Sequence, residues 1–252
     1  ERGFDKFDIA FTSNLSRAIH TCELVLDGIG ESAKMTPLEK YWQLNERHYG
    51  ALQGFRKDDP GIIQKYGNES LAEWRRSFTG TPPAMNAQHT YYLPEPAPLT
   101  ESLADCQDRV LTFWKDELIP ALQPGKSALL VAHANTLRGL VAYLDGVTQE
   151  NVPNIHFPNS VPCVYKLNAL GAPVSPLLGS ASGGSHGQWL FSAENHSRLQ
   201  SKIGGSGSYI AALFEAWDLN GDGELSLEEI QIGLRGLKGD DDITVNALAA
   251  KL

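Results

Sequence analysis

Two apolar runs in this chain are each followed at once by helical spacing. Ala128–Ala132 (ALLVA) carries five consecutive apolar positions without polar alternation, as in a parallel strand covered on both faces. The run ends at His133, and Leu137, Val141 and Leu144 then recur at the spacing of a helix packing back onto the strand. Asp8–Ser13 (DIAFTS) repeats the pattern and feeds a helix predicted over Asn14–Leu26. Strand, turn and helix in this order make βα units, so the pattern predicts an α/β domain with a mainly parallel sheet and flanking helices. A long amphipathic helix is predicted over Glu101–Leu122, with Leu103, Val110, Phe113, Trp114 and Leu118 among its buried positions. A further helix is expected from Ile62 to Phe78, and one more strand of the domain at Val161–Leu167 (VPCVYKL).

Between these elements the periodicity fails. Thr36–Gly54 shows neither helical nor strand spacing, and Thr79–Pro98, rich in Pro, Gly, Thr and Tyr, reads as a long loop over a site. Gly171–Ser208 changes character, with GSASGGSHG and GGSGS as flexible punctuation. The expected organisation is therefore a domain over residues 1–170, a linker over 171–208 and a small all-α module over 209–252. In that last part Tyr209–Trp217 and Leu227–Leu237 read as helices around an acidic loop.

Composition narrows the classes. A net charge of −9 over 252 residues does not suit a nucleic-acid surface, though a local basic pocket for a small anion is compatible with it. No apolar run approaches the roughly 20 residues of a membrane span, so no membrane partner is expected. Three widely spaced cysteines suggest a reducing compartment, and a cytoplasmic protein is expected. An organelle stays open, because the sequence begins at Glu1 rather than Met and reads as lacking its natural N-terminus. Self-association is compatible with all of this.

Several polar groups fall where an anion would be held. In open α/β sheets ligands collect at the carboxyl ends of strands, beside helix N-termini, which is where His133 and Asn135 lie. Arg17 sits in the first turn of its helix, where a cation opposes the helix dipole; a phosphate-facing role explains it better than a surface role. Glu46, Arg47, His48 and Tyr49 stand side by side in the aperiodic segment, as a functional loop or a mixed-charge surface one. Trp74-Arg75-Arg76 offers a clamp for carboxylate or phosphate, or alternatively a solvated helix end.

The blocks SNLSRAIHT, QLNERHYGALQG, EWRRSF, PLTESLADCQDRV and AHANTLRGLV occur in order over about Asp8–Leu167. Together they resemble the cofactor-dependent phosphoglycerate mutases of the histidine phosphatase superfamily. That resemblance implies interconversion of 3-phosphoglycerate and 2-phosphoglycerate through a phosphohistidine, with 2,3-bisphosphoglycerate as phosphoryl primer. It makes Glu46 the proton donor and acceptor, His133 the stabiliser of the transferring group and Arg17 a phosphate contact. Substrate contacts are implied for Arg17, Glu46, Arg47, Tyr49, Lys57, Arg75, Arg76, Ala134 and Asn135. Arg17, Glu46, Arg75, Arg76 and His133 should then converge on one concave pocket. Two departures stand out. The family's nucleophile lies in an Arg-His-Gly motif on the central strand, and no Arg-His-Gly occurs in this sequence. Loss of that strand should leave a gap in the sheet, with unpaired backbone groups beside the site. The second departure is Ala134, where the family has glycine. A methyl group there would cost about 1 kcal/mol if the position required a positive φ.

The tail resembles another family, the EF-hands. DLNGDGELSLEE places Asp218, Asn220, Asp222, the Glu224 carbonyl, Ser226 and a bidentate Glu229 at the ligand spacing for calcium, with Gly223 at the sharp turn. Residues 243–252 resemble the entering helix of a second EF-hand cut short. The whole reads as a phosphoglycerate mutase fragment fused to a calcium module. The alternatives are a broader phosphatase of the same superfamily and a catalytically silent, calcium-responsive interaction protein.

Overall fold

The structure is a computed structural model that describes residues 6–56, 58–92, 96–122, 125–155, 162–174 and 186–189. Lys57, most of the predicted linker and the EF-hand-like tail lie outside the described residues. The chain divides into two compact units, Glu1–Pro153 with Tyr165–His186, and Asn154–Val164 with Gly187–Leu252.

In the first unit, β1 (Ile9–Thr12) is followed by α1 (Ser16–Ile29), the short α2 (Glu31–Lys34) and β2 (Leu38–Lys40). Next come α3 (Pro60–Tyr66), α4 (Asn68–Arg76) and α5 (Leu103–Phe113), and then a π-type turn at Trp114–Leu118 and the short α6 (Ile119–Ala121). The unit continues through β3 (Ala128–Val131) into α7 (Ala134–Leu144). The three strands form one parallel sheet in the order β2-β1-β3.

Alternation along the strands explains the layering. Ile9 and Phe11 of β1, with Ala128 and Leu130 of β3, face a cluster built on Val110, Phe113, Leu140 and Leu144. Ala10, Leu129 and Val131 face the opposite way, onto Cys22 and Leu26 of α1 and Ala33 of α2. Helices therefore cover both faces, which is why the strand residues read as continuous apolar runs. The register is fixed at the strand starts, where the Asp8 carboxylate accepts from Ser127 N at 2.8 Å and Lys126 Nζ at 3.1 Å.

There is no gap between β1 and β3, and β3 forms the outer edge of the described sheet. Ile9 pairs with Ala128 and Thr12 with Val131, so β1 and β3 are directly hydrogen-bonded neighbours and β1 holds the central place. Direct pairing satisfies the backbone groups between β1 and β3, whereas the outer side of β3 has no strand partner among the described residues.

Other expectations change in detail. The helix expected from Ile62 to Phe78 is two helices, because Gly67 with φ 76° ends α3 and begins α4. The long helix starts at Leu103, behind a capping box between Ser102 and Asp105. It widens into the π turn ahead of Pro120, which has no N–H to donate and whose ring crowds the preceding turn. β2 lies inside the segment that showed no strand spacing; three residues are too few to show alternation. The described part of Val161–Leu167, residues 162–167, contributes no strand to the parallel sheet. Only Cys163–Val164 (β4) is strand, in the second unit, antiparallel to Gln188–Trp189 (β5). A run that mixes Val, Pro, Tyr and Lys lacks the unbroken apolar character of a strand covered on both faces. Among the described residues, no helix is long and apolar enough to cross a membrane.

Gly50 is the residue that seats the loop after β2. Its φ is +57°, and a Cβ there would lie 2.1 Å from the Pro83 carbonyl oxygen. Gly146, with φ +66°, has nothing within 4 Å of such a Cβ. Gly50→Ala should therefore lose about 2–5 kcal/mol from backbone strain and overpacking combined, whereas Gly146→Ala should lose only about 1 kcal/mol. Urea unfolding of the two variants checks the contrast, and equal losses would contradict it.

Candidate active site

The pairing of β1 with β3 places the carboxyl ends of both strands side by side. Thr12 Oγ1 donates to the Val131 carbonyl at 2.8 Å, and one residue further Ser13 Oγ and His133 Nε2 share a hydrogen bond of 2.8 Å. Ser13 Oγ also accepts from Leu15 N at 3.1 Å, which fixes the hydroxyl at the entry to α1. His133 itself is extended, with φ −122° and ψ 161°, and stands as the residue before α7. Ala134 is thus the first helical residue, where a methyl group is well tolerated, so the feared positive φ does not arise.

Asn45 fastens the loop to both strand ends. Its Oδ1 accepts from Asn14 N at 3.0 Å, and its carbonyl accepts from Thr136 Oγ1 of α7 at 2.8 Å. The next residue, Glu46, has Oε1 accepting from Arg47 N at 2.7 Å. Burial pushes the Glu46 carboxyl above its ordinary value, against the opposing pull of the Arg47 N–H, the Asn135 side chain and the Arg17 and Arg138 guanidinium groups. His133 moves the other way. Burial first, and then the Arg17 and Arg109 charges, lower it to about 4, so its ring is neutral at neutral pH. Tyr49 Oη accepts from Asn135 Nδ2 at 3.0 Å. Arg17, Glu46, Tyr49, His133 and Asn135 are thus linked by hydrogen bonds or by charges felt between them.

Other expected site residues sit differently. Arg47, expected to touch substrate, is 1% exposed and turned inward. Its Nε donates to the Glu101 carbonyl at 3.0 Å, and Nη2 donates to the Trp74 and Gly80 carbonyls at 2.7 and 2.8 Å. A guanidinium flanked by three carbonyls is a natural tie between segments, which is the role seen here. Arg75 and Arg76 form the last turn of α4, one residue past Trp74, so the Arg47 bond joins their helix end to the Glu46 loop.

One buried network was missed from the sequence. Arg109 Nε and Nη2 donate to the two Glu101 carboxylate oxygens, at 2.5 and 2.9 Å, and Nη1 donates to the Gln43 carbonyl at 2.6 Å. Arg109 Nη2 also reaches the Glu46 carbonyl at 3.3 Å, and Glu101 Oε2 accepts from His48 N at 2.8 Å. The signal was present in the spacing: Arg109 lies three and six residues beyond Cys106 and Leu103, on the buried stripe of its helix. A charge on an apolar stripe calls for a buried partner. Ser13 was missed too, a small polar residue just beyond the apolar run of β1.

A neutral imidazole, a carboxyl that holds its proton more tightly than usual, and a nearby arginine can together move protons at, and neutralise charge on, a phosphoryl group. The sequence profile of the histidine phosphatase superfamily (branch 1) matches residues 2–171, and the chain belongs to that superfamily. Solved structures similar to it include "Mycobacterial hydrolase 2", 23% identical with a TM-score of 0.43, covering 60% of this chain and 57% of that one. The alpha-ribazole phosphatase from Shigella flexneri is 21% identical with a TM-score of 0.47, covering 67% of this chain and 72% of that one. The native mycobacterial glucosyl-3-phosphoglycerate phosphatase is 20% identical with a TM-score of 0.46, covering 66% of this chain and 74% of that one.

The His133 environment sets a pH window. An unfolded histidine takes up its proton near pH 6.5, the folded one only near 4. The stabilising preference for the neutral ring is therefore present above about pH 6.5 and is lost as pH falls towards 4. NMR titration of the His133 ring, assigned with His133→Asn, should show a neutral imidazole down to the vicinity of pH 4. A midpoint near 6.5 would mean that the ring is solvated and not held as described.

Proposed function

We propose that this site handles the phosphoryl group of a small phosphorylated acid, and specifically that it is the acid/base half of a phosphoglycerate mutase centre. Glu46 would give and take the proton of the attacking or leaving hydroxyl. His133 and Arg17 would meet the equatorial phosphoryl oxygens, while Tyr49 and Asn135 hold the substrate. The observation that carries this is the Glu46 carboxyl, which lies in one linked group with Tyr49, Asn135 and His133 and which burial raises above its ordinary value while Arg17 and Arg138 pull against that rise, as suits an acid/base group. Support for the mutase over a broader phosphatase comes from the LNERHYG block and the adjacent Arg75-Arg76, which suit a ligand charged at both ends.

The phosphohistidine step needs an Arg-His-Gly histidine that these 252 residues do not contain. They should therefore bind 3-phosphoglycerate in a calorimetric titration yet show no turnover when primed with 2,3-bisphosphoglycerate, and form no acid-labile phosphohistidine. A longer protein carrying an Arg-His-Gly segment ahead of residue 1 should make 2-phosphoglycerate, and there Glu46→Gln should lower kcat far more than it raises KM. Release of inorganic phosphate without 2-phosphoglycerate would favour the phosphatase. Turnover by the 252 residues alone would overturn the assignment of roles.

For the tail we propose a calcium site at Asp218, Asn220, Asp222, Glu224 and Glu229, on the strength of its ligand spacing. Paired sensor loops bind in the range of about 10⁻⁷–10⁻⁵ M. Leu225 has no complete sister loop within these residues, so binding should be weaker than that. Calorimetry with calcium should give heat for the wild type and much less for Glu229→Gln. Equal heats, or none for either, would remove the calcium site.

A further inference from the structure

Glu46 is the group on which the proposed chemistry turns, and its environment includes a side chain with no role assigned so far. From α1 comes Arg17, and from α5 come Arg109 and Cys106. From α7 come Asn135 and Arg138, while Arg47 and Tyr49 belong to its own loop. Arg138 lies one turn beyond Asn135 on α7, so the two side chains share a helix face. Arg138 Nη1 donates to Asn135 Oδ1 at 2.6 Å, a short, charge-assisted bond. Gly139, on the packed side of the same helix, meets Gln107 of α5 closely enough that an added Cβ would sit 3.1 Å from its Cβ, which holds α7 against its neighbour.

A side-chain amide has two ends of nearly equal size, and which end faces which neighbour is settled by hydrogen bonding alone. Asn135 is buried, so both ends require partners. Arginine has donors and no acceptor, so the amide atom beside Arg138 must be the oxygen. The NH₂ end is then left for Tyr49 Oη at 3.0 Å and for the Glu46 carboxylate, whose charged form the Asn135 side chain favours. Were the amide reversed, its oxygen would face a carboxylate and a phenol oxygen, and its NH₂ would meet a guanidinium.

We propose that Arg138 is a positioning residue of this site: by capping Asn135 Oδ1 it locks the amide with its NH₂ turned to Glu46 and Tyr49. The proposal rests on the reading of Glu46 as the acid/base group. It adds a residue one turn beyond those expected to touch substrate, acting by orientation and not by contact with ligand.

Carbon-13 NMR of glutamate side chains in the 252-residue protein tests it, with the Glu46 resonance assigned by Glu46→Gln. Arg138→Gln should move the Glu46 midpoint upward by about one pH unit, the scale expected for loss of one nearby favourable charge and the donor it orients. Asn135→Ala removes the donor while leaving the cation, and should also move the midpoint upward; it carries the test by itself if Arg138→Gln does not fold. In an Asn135→Ala background, Arg138→Gln should add less than half of its shift in the wild type. An unmoved midpoint in the single variants, or the same Arg138 increment with and without Asn135, overturns the proposal. If Glu46 of the wild type titrates as an ordinary carboxylate, the acid/base reading fails separately, since the Arg138 dependence is read from the variants relative to wild type.

Discussion

The parallel pairing of β1 with β3 is the constraint on which the site depends. Four consecutive registered pairs, from Ile9 with Ala128 to Thr12 with Val131, bring residues about 120 positions apart to one sheet edge. Everything beyond that edge follows from it. Ser13 meets His133, α1 and α7 start next to each other, and Asn45 can bond to the first residue beyond Ser13 and to Thr136 at once. A slip of one residue would reverse the faces of Phe11 and Leu130 and carry His133 out of reach of Ser13.

The arginines then divide by direction. Arg47 and Arg109 turn inward and donate from most of their nitrogens to carbonyl oxygens and, for Arg109, to the Glu101 carboxylate. Removing one partner of such a buried pair typically costs about 3–5 kcal/mol, because the other charge is left uncompensated. Arg17, which is exposed, and Arg138 act instead on Glu46, and Arg17 also on His133. The same residue type therefore builds the loop and sets its electrostatics, and only three-dimensional placement distinguishes the two uses.

That is also where reading the sequence ran out. The two βα units, the buried faces of the strands and the place of His133 and Asn135 just beyond β3 were legible, because buried parallel strands write themselves as apolar runs and these residues follow such a run. Arg47 turns toward the Glu101, Trp74 and Gly80 carbonyls, a direction that adjacency to Glu46 does not reveal. Arg109 and Glu101 were passed over because their pairing joins a helix to the residues ahead of it, and the apolar stripe drew attention to its other members. The gap expected in the sheet does not fall between β1 and β3; the outer side of β3 has no strand beside it among the described residues. β1 and β3 pair directly because their apolar faces match.

The central claim is that one phosphate-sized anion is met by groups from β1–α1, the Glu46 loop and the start of α7 together. A crystal structure of the protein soaked with 3-phosphoglycerate measures this directly. The account predicts the phosphoryl group within hydrogen-bond reach of both Arg17 and His133, with the Glu46 carboxyl facing the substrate hydroxyl. Ligand bound elsewhere on the chain, with His133 still tied to Ser13 and no density beside Glu46, would contradict it.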